Sequence, residues 1–141
     1  MEKINKLTNG EMIRAMTGEQ DAISYYQQLM TITQDSKNRE ILSDIRNDEI
    51  THFKDFMELY HRIYSKSPEL PTVKNPIIPS FEEGLQAAIA DELNAYEFYR
   101  DIYLNNSSPV IRNMFFKAYT DENKHASKLI YILTKFYGNR H

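Results

Sequence analysis

The chain has 141 residues, a net charge of −3, 41% apolar and 26% charged residues, and no cysteine. That is the length and composition of one globular domain able to bury a real core, which excludes a disordered chain; the missing thiols exclude disulfides, iron–sulfur clusters and Cys-ligated zinc. No apolar run approaches the roughly 18 residues that cross a bilayer, residues 1–6 contain no signal core, and Lys and Arg are scattered among acids. A cytoplasmic protein is expected, with neither a membrane nor a nucleic acid as partner.

Four long amphipathic helices are predicted within a single domain covering residues 1–141. The first opens near Thr8, which has capping-box spacing to Glu11, and runs to about Thr33. After a turn at residues 35–38, the second runs from about Lys37 to Tyr64. Residues 65–79 hold four of the five prolines (Pro68, Pro71, Pro76, Pro79) and are expected to form an ordered, non-helical crossing segment. Ser80 and Glu83 repeat the capping spacing and open a third helix to about Leu104. A turn at residues 105–108 leads to Pro109 at a favoured first helical position, and the fourth helix runs to about Tyr137, where Gly138 ends it. The expected fold is all-α: a bundle of two helical hairpins, residues 8–64 and 80–137, joined by a long Pro-rich crossover. About 15 extended residues reach roughly 45–50 Å, the length of helices of about 27 residues, so the second hairpin can enter from the opposite end.

Two segments 73 residues apart carry the same constellation. Glu19 is followed 30 residues later by Glu49, with His52 three further on; Glu92 is followed 30 residues later by Glu122, with His125 three further on. The pattern E-x-x-A-x-x-x-Y repeats as Glu19, Ala22, Tyr26 and as Glu92, Ala95, Tyr99. Each hairpin turn lies midway between its two Glu, which places them level in an antiparallel pair. If the hairpins pack in register, all four Glu and both His meet in one layer.

The apolar stripes run through these residues. They read Met12, Met16, Glu19, Ile23, Tyr26, Met30; Leu42, Ile45, Glu49, His52, Phe56, Leu59, Ile63; Leu85, Ile89, Glu92, Tyr96, Tyr99, Tyr103; and Phe115, Ala118, Glu122, His125, Leu129, Ile132, Phe136. Each Glu sits where an apolar residue belongs. One unpaired buried carboxylate costs several kcal/mol, so four require compensating cations, and two divalent metals supply them. Six such residues on four helices are the ligand set of a two-metal carboxylate site. Carboxylates with two imidazoles favour first-row transition metals over calcium or magnesium. Glu58 and His61 share the Glu-x-x-His spacing but face about 180° from Glu49 and are read as surface, and His141 is not read as a ligand.

Asp48 and Asp121 directly precede the paired Glu and can accept a hydrogen bond from the far ring nitrogen of the other half's His. Tyr26 and Tyr99 lie two turns from Glu19 and Glu92 and can bond a ligand carboxylate. Gly18, a poor helix residue, is read as permitting a close helix approach.

With these residues the chain resembles the ferritin-like di-iron carboxylate proteins, and among them the four-helix domain of rubrerythrin, over nearly its whole length. The resemblance implies that Glu19 and Glu92 are terminal ligands, Glu49 and Glu122 bridging ones, and His52 and His125 ligands of one iron each. It implies two irons per chain and reaction of a di-ferrous centre with hydrogen peroxide or dioxygen. The chain differs from rubrerythrins in having no four-cysteine rubredoxin domain and in carrying Ala95 where they have an extra carboxylate; Glu97 lies about 140° further around the helix. The residues after the fourth helix are too few for the fifth helix of cage-forming relatives, and no iron-storing shell is expected.

The expected function is that of a di-iron oxidoreductase drawing electrons from a separate donor protein or from ferrous ion. The alternatives are a dimanganese, catalase-like enzyme and a non-enzymatic iron-sequestering module. A homodimer is expected, with hairpin exchange open through the Pro-rich connector.

Overall fold

Three of the four helices begin where a side chain takes up otherwise unpaired backbone N–H groups, and the fourth begins with a proline. In the computed structural model, which describes residues 7–139, Thr8 caps α1 (Asn9–Ile32): its hydroxyl accepts from Glu11 N–H at 3.0 Å, and Glu11 Oε1 accepts from Thr8 N–H at 2.9 Å. Asp35 caps α2 (Ser36–Tyr64), accepting from the N–H groups of Lys37 and Asn38. Ser80 caps α3 (Phe81–Leu104) through Glu83 N–H, but the Glu83 carboxylate accepts from the Ser80 hydroxyl instead of its backbone, so half of the predicted box forms. Pro109 opens α4 (Pro109–Gly138). Gly138 does not stop α4 as predicted: it is the last helical residue, it has no positive φ, and Asn139 caps the helix. The left-handed helix cap falls instead on Ser65, with φ 55°, at the end of α2. His141 lies outside the described residues.

The observed architecture is an all-α four-helix bundle of two hairpins, α1 with α2 and α3 with α4, joined by residues 65–80. Leu7 N–H donates to Asn106 Oδ1 at 3.2 Å, which sets the start of α1 beside the end of α3. Tyr25 Oη donates to the Gly84 carbonyl at 2.8 Å, which sets the end of α1 beside the start of α3. The two helices therefore run antiparallel, and the crossover covers the length between the two ends. It lies along α1, where Gln20 Nε2 donates to the Pro71 carbonyl at 2.7 Å, Asp21 Oδ1 accepts from Lys74 N–H at 2.9 Å, and Ser24 bonds Asn75. Among the described residues, no helix is long and apolar enough to cross a membrane.

Gly84 is the close approach in this fold. A Cβ there would sit 2.6 Å from Leu29 Cδ2 and 2.7 Å from Ile78 Cγ2. We expect Gly84→Ala to destabilise by about 1–2 kcal/mol despite the gain in helix propensity, because overpacking outweighs it. A denaturant midpoint that rises would contradict this.

The core falls into two clusters. Met12, Met16, Phe56, Tyr99, Ile102 and Phe115 lead one; Tyr26, Leu29, Leu42, Ile45, Leu129 and Ile132 lead the other. The predicted stripes hold on α2 and α4 around the polar layer, Ile23 on α1 and Ile89 and Tyr96 on α3 are only partly buried, and the stripes slip toward the ends. Ile63 is 46% exposed and Tyr60 takes its place in the core; Leu29 replaces Met30, and Ile102 replaces Tyr103. Steps of three and four residues do not average to 3.6 indefinitely, so a stripe extended from the centre drifts off the core face.

Candidate metal centre

The layer between the two apolar clusters is polar. Glu19, Glu49, His52, Glu92, Glu122 and His125 are each at most 3% exposed. Among the described residues they form two groups, Glu19–Glu49–His52–Glu122 and Glu49–Glu92–Glu122–His125. Within each group, one donor atom per residue lies within 4.8 Å of all the others. Glu49 and Glu122 belong to both groups.

Six buried donor atoms in this layer have no hydrogen-bond partner: Oε1 of each Glu and Nδ1 of each His. His52 Nδ1 lies 3.1 Å from Glu49 Oε1, and His125 Nδ1 lies 3.1 Å from Glu122 Oε1, yet neither contact is a hydrogen bond. Orphaned polar atoms are rare in native cores, and six converging on one spot call for an occupant. Four carboxylates balance two divalent cations, and oxygen with imidazole nitrogen is a donor set that first-row metals accept. Either group can hold a metal ion.

The outer polar atoms of four of the six residues, Glu19, His52, Glu92 and His125, are fixed from the opposite hairpin. His52 Nε2 pairs with Asp121 Oδ2 at 2.8 Å, and His125 Nε2 pairs with Asp48 Oδ2 at 2.8 Å. A ring N–H held by a carboxylate leaves the other nitrogen as the acceptor facing the centre. Tyr26 Oη donates to Glu92 Oε2 at 2.5 Å and Tyr99 Oη donates to Glu19 Oε2 at 2.6 Å. Each Tyr thus reaches the carboxylate of the other half of the repeat, a pairing the antiparallel α1–α3 arrangement creates. Lys124 Nζ stands 3.4 Å from Asp48 and 3.6 Å from Asp121 and links the two His-bound carboxylates from outside. The repeat has Thr51 at the equivalent position, so this link breaks the internal symmetry.

The electrostatics follow from burial. Desolvation, then the charges of neighbouring Glu, hold the carboxyls of Glu49 and Glu122 well above the ordinary range. Burial opposes charge on His52, but Asp121, Glu19 and Glu49 outweigh it and raise its pKa. Burial likewise opposes charge on Asp48 and Asp121, and the His rings they bond outweigh it and lower their pKa values. Tyr26 and Tyr99 are raised well above their usual value by burial and then by Glu92 and Glu19 respectively, so both stay protonated.

Glu58 and His61 lie on the exposed face of α2, where Glu58 pairs with Arg62 at 3.6 Å. Gly18 is corrected: nothing lies within 4 Å of where its Cβ would be, so no helix approaches there. Sequence reasoning missed Lys124 and Gly84. The i,i+3 spacing of Lys124 to Asp121 hinted at the first; no local pattern marks the second.

Fold and centre together define the class: an all-α four-helix bundle with paired, buried Glu/His groups able to hold metal. The chain belongs to the family of the uncharacterized protein YhjR of Bacillus subtilis (strain 168), with 32% identity over 120 residues, 85% of this chain and 82% of that protein. No protein-family profile matches the chain. The fold is shared with a conserved hypothetical protein, Rv2844, of Mycobacterium tuberculosis (TM-score 0.78, 14% identity, 89% of each chain). It is shared with CopM in a Cu(II)-bound form (TM-score 0.76, 12% identity, 97% of this chain and all of that one). A two-domain protein of Anabaena variabilis with DJ-1/ThiJ/PfpI-like and ferritin-like domains is similar over 94% of this chain and 38% of its own, with TM-score 0.74 and 14% identity.

Proposed function

We propose that this chain is a di-iron carboxylate oxidoreductase of rubrerythrin-like type that uses hydrogen peroxide or dioxygen as oxidant. The observation that carries the reading is that Glu49 and Glu122 belong to both donor groups, which supports one two-metal site rather than two separate ones. The ferritin-like domain of the Anabaena neighbour and the Cu(II) carried by CopM agree with a metal-holding bundle.

Two irons, when bound, would supply the electrons that reduce the oxidant. Glu19, Glu49, Glu92 and Glu122 would hold them through their free Oε1 atoms, and His52 and His125 through Nδ1. Asp121 and Asp48 keep the imidazoles in the orientation and tautomer that binding requires. Tyr26 and Tyr99 retain their protons and fix the outer oxygen of Glu92 and Glu19, which leaves the inner oxygen free. Each carboxylate is at most 3% exposed, which limits the water that can compete for it. Electrons return from a separate donor protein or from further ferrous ion.

The test is an anaerobic Fe(II) titration of metal-free protein, followed by peroxide in one sample and dioxygen in another. Two irons per chain and rapid growth of ferric absorption are expected, and the faster oxidant separates peroxidase-like from ferroxidase-like chemistry. Stoichiometric uptake without turnover would replace the enzyme by a sequestering module. Peroxide dismutation by the Mn(II)-loaded protein alone would replace iron by manganese, and no uptake would end the di-metal reading.

A further inference from the structure

Between α1 and α3 a cleft of about 510 Å³ opens from the surface down to Glu19, Glu49, Glu92 and Glu122. The side chains lining it are small, Gly18 and Ala22 on α1 and Ala88 and Ala95 on α3, and leave the space between the two helices unfilled. Crossover residues Ile77 and Ile78 roof one side.

Four observations bear on what the cleft takes. Its floor is lined by Glu19, Glu49, Glu92 and Glu122, whose Oε1 atoms lie buried behind it without hydrogen-bond partners. A Gly18 side chain would enter open space, so a residue that weakens the helix leaves room for something other than the protein itself. The volume far exceeds the roughly 30 Å³ share of a water-sized molecule and lies in the range of sites for small organic ligands. Ile77 stands 93% exposed at the mouth, an apolar side chain that none of the described residues covers.

Charge narrows the class. Arg14 and Lys74 line the cleft together with Asp21, Glu83 and Asp91, two cations against three carboxylates, and Arg14 lies over the Phe98 ring at 3.9 Å. With two divalent metals, the four floor carboxylates are neutralised as well. We propose that the cleft binds a neutral, largely apolar organic molecule of about ten to twenty non-hydrogen atoms against the metal centre. The proposal rests on the di-metal reading for the neutrality of its floor. The cleft itself is independent of that reading.

The experiment titrates Co(II)-loaded protein with the neutral fluorophore N-phenyl-1-naphthylamine and follows both its emission and the cobalt d–d bands. One probe per chain is expected, with a shift in the cobalt spectrum on binding. Gly18→Leu, which fills the cleft, should weaken the probe at least tenfold while keeping two Co(II) per chain. Gly18→Ala should keep most of the affinity and raise the thermal midpoint, and a cooperative thermal transition in Gly18→Leu excludes misfolding as the cause of its loss. Absence of saturable binding, or affinity unchanged in Gly18→Leu, overturns the cleft even where two Co(II) bind. Failure of Co(II) to bind, with the probe still lost in Gly18→Leu, supports the cleft and removes the metal reading instead.

Discussion

Glu49→Ala and Glu122→Ala will each abolish uptake of both metals, whereas Glu19→Ala and Glu92→Ala will each leave one. The asymmetry comes from membership: Glu49 and Glu122 contribute to both donor groups, and Glu19 and Glu92 to one each. Removing one partner of a buried charge pair costs about 3–5 kcal/mol, a loss of roughly 10²–10⁴-fold in affinity, and for the shared residues it falls on both ions. Anaerobic Fe(II) or Co(II) titration with metal analysis reads the capacity directly. Equal losses at all four positions would mean that the ions do not share ligands.

The second large effect is an inversion of pH dependence on metal loading. In the metal-free protein, Glu49 and Glu122 titrate well above 4.5, so the folded chain holds protons that the unfolded chain has released. Their contribution is complete below about pH 4.5 and is lost as pH rises through the folded values. His52, raised above 6.5, acts in the same direction: its contribution is complete below that value and lost at higher pH. Asp48 and Asp121, lowered from 3.8, contribute above that value and lose their effect as pH falls. Metal-free protein is therefore expected to be most stable near pH 4–5 and to weaken steadily toward pH 8. Metal needs the deprotonated ligands, so the loaded protein gains stability over the same range. At 1,000-fold excess over Kd one ion contributes about 4 kcal/mol, so thermal midpoints at pH 8 should separate by on the order of 10–20 °C. Glu49→Gln should raise the metal-free midpoint at pH 8 and lower the loaded one. A metal-free midpoint that climbs with pH would show that the four carboxylates do not repel one another as their burial requires.

Much of this protein was legible in its residues because the signals are local or repeat. Thr8 with Glu11, Ser80 with Glu83, and Pro109 at the start of α4 each act within one helical turn, and the helix bounds follow them to within a residue or two. The crossover was legible because proline cannot continue a helix. The six polar residues stood out because the 73-residue repeat places each Glu in an apolar stripe, and hairpin symmetry around each turn sets them level. Gly18 and Gly84 look alike in sequence, yet one faces open space and the other a 2.6 Å contact.

By itself, then, the sequence determined four helices, their two hairpins, and which six side chains share a layer, since periodicity and spacing are properties of a single chain direction. The pairing of each His with the other half's Asp was legible too, but only the tertiary structure decided the other links between hairpins: Tyr26 to Glu92, Tyr99 to Glu19, and Lys124 between both Asp. It also decided that α1 and α3 stand apart over the carboxylates. The physical reason is that a repeat fixes heights along a helix, whereas the gap and rotation between helices depend on the side chains of both, packed at once.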